Sequence, residues 1–183
     1  MDLAAVQDAI LVQAGEALPG LAQVEPYAGQ FGPEGPTQGR VVAPAFFVAA
    51  LEAPLADEQP GEGRIALDVR WAAYCLARNA RGAAKRGRDA MSLAVSWAQQ
   101  VQHAQWGLAP DVMHARLAGL ENLYSAALDA KGFALWAVVW RQVVLVGETA
   151  WDGSGETPSE VWAGWQPEQF PDDYERIDGE EVS

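Results

Sequence analysis

The sequence predicts an α+β fold: a mostly antiparallel β-sheet with two α-helices packed on it, and an irregular C-terminal tail. Three observations predict it. Helix-like and strand-like patterns follow one another as helix, strands, helix, strands, so the strands are segregated rather than interleaved with crossover helices. The one long internal helix pattern separates two groups of strand patterns. Composition then breaks near residue 150: residues 150–183 carry ten of the 25 acids and Arg176 as their single base, in a chain of net charge -13. The domain organisation read from this is one α+β domain over 1–149 and an acidic, tryptophan-containing tail over 150–183, with no internal repeat.

Residues 2–18 read as an amphipathic helix, because Leu3, Val6, Ile10, Ala14 and Ala17 recur at three- and four-residue spacing. Asp2 is placed to cap it, and Pro19-Gly20 ends it. A short strand follows over 22–27. Residues 29–39 are too rich in Gly and Pro for regular structure and read as a loop. Residues 41–53 form a strand with Phe46, Val48 and Ala50 on one face and Phe47, Ala49 and Leu51 on the other, which suits a central place in a sheet. The acidic stretch 54–63 breaks the pattern. Over 64–77, Ile65, Leu67, Val69, Trp71, Ala73 and Cys75 alternate with Arg64, Asp68, Arg70, Ala72, Tyr74 and Leu76. A strand of that length spans roughly 45 Å, so one end should be solvated.

Residues 89–106 read as the second helix, with Asp89 as N-cap, a stripe of Ala90, Leu93, Ala94, Trp97, Val101 and Ala104, and Gly107 as the stop. Residues 112–118 fit a helical turn or a short strand equally. A hairpin then runs from 120–128 through a turn at Asp129-Ala-Lys-Gly132 to 133–146, a strand apolar on both faces except at Arg141 and Gln142.

Half of the 183 residues are hydrophobic, which fits globular material with a real core. The longest apolar run is interrupted by Pro44 and falls short of a membrane span, and no secretory pattern opens the chain. A single cysteine, Cys75, excludes an intramolecular disulfide and fits a reducing cytoplasm. Its place on the apolar face of a strand makes it a structural thiol rather than a nucleophile. His103 and His114 have no Cys or clustered carboxylate at metal-ligand spacing, and neither phosphate-cradling glycine motif nor nucleophile elbow is present. The expectation is therefore a protein with no catalytic residues, no metal and no cofactor: not an enzyme.

Two segments carry the functional expectations. Five of the twelve basic residues, Arg78, Arg81, Lys85, Arg86 and Arg88, lie in the connection between the long strand and the second helix. They are expected to form an assembly surface facing carboxylates of a neighbouring protein, with phosphate contact as the alternative. In the tail, Trp151, Trp162, Trp165, Phe170 and Tyr174 are interspersed with acids, the pattern of aromatic anchors that dock on a partner.

Val6-Gln-Asp-Ala-Ile10, Leu18-Pro-Gly-Leu21, Val24-Glu-Pro-Tyr27 and, in the middle of the chain, Ala77-Arg-Asn-Ala-Arg-Gly82 followed by a helix resemble a small tail-morphogenesis protein family of Mu-like phages and prophages. The resemblance covers roughly residues 1–147 and leaves the tail outside. It implies a tail-terminator-like structural protein that forms a ring, a hexamer, capping the tail tube and joining tail to neck. The implied partners are further copies of the chain and the tail tube, sheath and neck proteins. DNA would pass through the ring, no membrane is involved, and the protein would reside in the virion and, during assembly, in the host cytoplasm. Two alternatives stand beside this: a neck or head-completion adaptor that touches DNA through the basic corner, and an acidic inhibitor or immunity-type protein that uses its tail as a decoy.

Overall fold

The computed structural model describes residues 1–32, 35–36, 41–78, 82–150, 162–163 and 175–176. The chain divides into two compact units, Met1–Thr149 and Ala150–Ser183. The first opens with α1 (Leu3–Ala17), which Asp2 caps by accepting the Ala5 N–H at 2.8 Å on its carboxylate. Val6, Ile10 and Ala14 are its buried stripe. β1 (Gln23–Pro26) is a shorter version of the expected 22–27 strand. Inside the expected loop, β2 (Phe31–Gly32) and β3 (Gly35–Pro36) form a minimal antiparallel pair. β4 (Ala45–Glu52) starts four residues later than the apolar run because Pro44 has no N–H to give to a ladder.

β5 (Ile65–Arg78) is long and unbroken, and its ends are exposed, Ile65 at 49%. α2 (Ala83–Val101) is followed by β6 (Arg116–Asn122), a short helix α3 (Ala126–Ala130) and β7 (Phe133–Val146). The sheet order is β1-β4-β5-β7-β6, parallel only between β1 and β4. The fold is therefore α+β with a mostly antiparallel five-stranded sheet and three helices rather than two. β5 and β7 pair over their whole lengths, from Ile65 opposite Val146 to Arg78 opposite Phe133.

Three elements depart from the sequence reading. α2 begins six residues before Asp89, because Ala83, Ala84, Lys85 and Arg86 are good helix formers. It also ends five residues before Trp106. His103 and Trp106 take left-handed backbone (φ 66° and 55°), and the Trp106 indole donates to Gln142 Oε1 at 2.7 Å, pulling this turn onto the sheet. The hairpin partner of β7 spans 116–122 rather than 120–128, since residues 126–130 coil into α3 to bury Leu128.

One face of the sheet carries both long helices. Phe46, Val48, Val69, Trp71, Cys75 and Trp140 meet Val6, Ile10, Trp97 and Val101 in the main core. Its centre is aromatic: Trp97 stacks on Trp106 with centroids 5.5 Å apart, meets Phe46 edge-on at 4.9 Å, and lies 6.3 Å from Trp140. On the other face Leu128 of α3 packs on Phe47, Leu76, Phe133 and Leu135 at one end, and next to them Ala72, Ala137 and Val139 are buried with Tyr74 and Leu123 packed against them. In the second unit, β8 (Trp162–Ala163) pairs antiparallel with β9 (Glu175–Arg176).

Candidate functional site

The described residues of the basic stretch lie in different settings. Arg78 ends β5, exposed, with its guanidinium carbon 5.3 Å from the centroid of the Phe133 ring. Residues 79–81 lie outside the described residues, and Arg81 with them. Lys85 and Arg88 are exposed on the first turns of α2. Arg86 turns inward instead: it is 7% exposed, four residues before Ala90 on the buried stripe, and forms an ion pair with Asp129 of α3. The expectation that Arg86 faces a partner is corrected on this ground, because its guanidinium is used inside the chain.

The corner is electropositive for a second reason. α2 starts from Gly82 at φ 140°, without a side-chain cap and with no acid in its first turn. The helix dipole places partial positive charge there, and Lys85 and Arg88 add to it where an acid would be favoured. Beside the corner, Arg78, Asp89, Ser92 and Ser96 rim a crevice of ≈ 370 Å³ floored by Leu18, Leu21 and Leu93. Of the tail aromatics, Trp151, Trp165, Phe170 and Tyr174 lie outside the described residues, and Trp162 is placed by its backbone in β8.

The residues weighed for chemistry lie in structural settings. Cys75 is fully buried, and desolvation pushes its thiol from 9.0 up to about 12. His103 and His114 approach edge-to-face with ring centroids 6.3 Å apart. Among the described residues, no three His, Cys, Asp or Glu side chains are grouped to hold a metal ion.

The open half of the second sheet face carries a feature that pattern reading missed. Cross-strand register places Glu52 opposite Arg70, Arg70 opposite Arg141 and Arg141 opposite Arg116, one row across four strands. Arg141 is paired with Asp68 at 3.0 Å and Glu52 at 3.3 Å. Arg116 and Arg141 of the row line a groove of ≈ 1010 Å³ between the loop at 55–60 and the segment at 113–118, floored by Ala66, Val143 and Leu145. The signal was present as isolated polar residues in apolar strands, Arg70 in one and Arg141 in another, but only register brings them together.

A family model described as Bacteriophage Mu, Gp37 matches residues 2–144. The chain belongs to that family. No curated protein matches it. The Mu Gp37 family is of the phage structural and assembly kind and points to the virion. The matched segment runs from the cap of α1 almost to the end of β7, so it contains both the basic corner and the arginine row. No described helix of this Mu Gp37 family member is long and apolar enough to cross a membrane.

Proposed function

We propose that the chain is a tail-terminator-like protein that assembles as a ring, caps the tail tube and joins the tail to the neck. Membership in the Mu Gp37 family carries the reading. A ring closes through heterologous contacts, so each protomer must present two different complementary surfaces. The corner at Arg78, Lys85 and Arg88 is one, set on a helix start whose own dipole attracts carboxylates. The acidic residues 150–183 supply negative charge elsewhere on the same chain, and their aromatics suit docking on a neighbour or on a tube, sheath or neck protein.

Electron microscopy of particles made without the protein tests this. Tails that fail to stop at a uniform length or to join heads are the expected result. Normal tails joined to heads would remove the proposal.

A second reading, a neck adaptor touching DNA, draws on the same corner, since an uncapped helix start flanked by cations also attracts phosphate. Retention of duplex DNA at low salt that disappears in Lys85→Gln/Arg88→Gln would favour it over protein contact.

A further inference from the structure

The arginine row has an electrostatic cost that the fold does not use. Neighbouring strands lie about 4.8 Å apart, so Arg70, Arg141 and Arg116 stand side by side, and like charges directly opposite one another destabilise a sheet. The two acids that offset this both contact Arg141. Arg70 and Arg116 form no ion pair or hydrogen bond among the described residues. Across the groove, Asp57 and Glu58 are exposed and likewise have no such partner among the described residues. The groove thus holds the unmatched Arg116 guanidinium on one wall and two unmatched carboxylates on the other, and Arg70 stands beside it in the same row, next to Arg141.

Both walls are held firmly. The Gln59 side chain bonds both backbone groups of Ala66 at 3.0 Å, and Ala56 N–H donates to Ala66 O at 2.9 Å, fixing the acidic loop. Opposite, Met113 N–H donates to Val143 O at 2.9 Å, and Gln142 Nε2 donates to Met113 O at 2.6 Å. Leu55 (67% exposed) and Met113 (39%) leave apolar surface at the rims. The backbone on both sides of the groove is therefore held in place.

We infer that this groove and the arginine row beside it form a two-fold contact between copies of the chain, in which Asp57 and Glu58 of each protomer meet Arg70 and Arg116 of the other. A two-fold contact requires one patch that complements itself, and a patch with equal unmatched charge of both signs and apolar rims does so. Nucleic acid is the poorer fit, because Asp57, Glu58 and Asp68 along the groove repel phosphate. The inference goes beyond the ring and does not rest on it: ring contacts are heterologous and use the corner, whereas this one is isologous and uses the open sheet face.

Sedimentation velocity on the full chain over a range of concentrations tests it. Arg70→Glu/Arg116→Glu and Asp57→Arg/Glu58→Arg should each weaken self-association at least about tenfold, since each leaves like charges facing across the contact. An equimolar mixture of the two variants should restore pairing, because every charge then meets its opposite. Asp57, Glu58 and Arg116 are exposed and Arg70 is half-buried, and far-UV circular dichroism checks that the variants remain folded. A wild-type chain that stays monomeric at every concentration, or oligomers indifferent to both reversals, would overturn the two-fold contact. Oligomers that respond only to Lys85→Glu/Arg88→Glu would overturn it while leaving the ring standing.

Discussion

The two faces of the five-stranded sheet are built on opposite principles. Under α1 and α2 the strands present Phe46, Trp71 and Trp140, fully buried against Trp97; the Gln142 side chain there has its bonds made, while the indole N–H groups of Trp71, Trp97 and Trp140 are buried without a partner among the described residues. On the other face α3 covers one end, and the remainder carries a row of arginines and exposed carboxylates. The same strands thus alternate between a side where apolar burial is concentrated and a side that carries charge. Substitutions should separate the two sharply.

Trp140→Ala should have the largest effect. The ring is fully buried and lies within 6.0–6.4 Å of Trp71, Trp97 and Trp106, so a cavity forms where the chain relaxes least. A loss of about 3–5 kcal/mol is expected in urea unfolding. Arg70→Ala, on the same sheet and the opposite face, should change stability by less than about 0.5 kcal/mol. Equal losses at the two sites would end the contrast between the faces.

Gln142→Ala comes next. The side chain accepts from the Trp106 indole and donates to Ala104 O at 2.9 Å and Met113 O at 2.6 Å; its removal strips the Trp106 N–H and Met113 O of these bonds, while Ala104 O keeps the Ala115 N–H. A loss of about 2–3 kcal/mol is expected, with faster amide exchange at His103, Ala115 and Met113, whose N–H groups are bonded around this turn. Global destabilisation without local exchange at those amides would show that Gln142 acts only by filling space.

Cys75 adds a pH test of the covered face. Its folded value of about 12 stands above the ordinary 9.0, so the folded state holds the proton more tightly. This contribution is complete below pH 9 and is lost as pH rises towards 12. Below pH 9 the native thiol should stay unreactive to a thiol reagent until the protein unfolds. Prompt labelling of native protein at neutral pH would mean that the covered face opens.

Legibility in the sequence follows the same division. Where burial depends on local periodicity the reading succeeds: α1 with its Asp2 cap, β5 within one residue, and β7 at both ends. It fails where a distant residue decides. Arg86 occupies a core position of α2, and a charge there ends the apolar stripe to any periodic reading, because its partner Asp129 lies 43 residues away. Trp106 looked like the last turn of a helix because Gln142, 36 residues on, was not visible as its acceptor. The arginine row is a property of strand register alone, and register is fixed by pairing that no single segment encodes.

Arg86→Met tests the first of those failures. Asp129 is 42% exposed at its side chain and can return to water, so the ion pair should be worth about 1–2 kcal/mol, less than a fully buried one. A double-mutant cycle with Asp129→Ala measures the coupling directly. No coupling would mean that Arg86 is held by packing of its aliphatic stem alone.

The smallest effect on stability should have an unusual sign. Lys85 and Arg88 are exposed and sit at the positive end of the α2 dipole, where cations are unfavourable and acids are favoured. Lys85→Glu/Arg88→Glu should therefore raise the unfolding free energy, by about 0.3–1 kcal/mol at low salt, and the gain should fade as salt screens it. The covered face gains nothing from cations at that position. If the double variant is more stable yet no longer assembles on tails, the corner is a contact surface in conflict with its own helix. If it is destabilised instead, Lys85 and Arg88 belong to the fold, and the contrast between stabilising and contacting regions must be redrawn to include the start of α2 on the stabilising side.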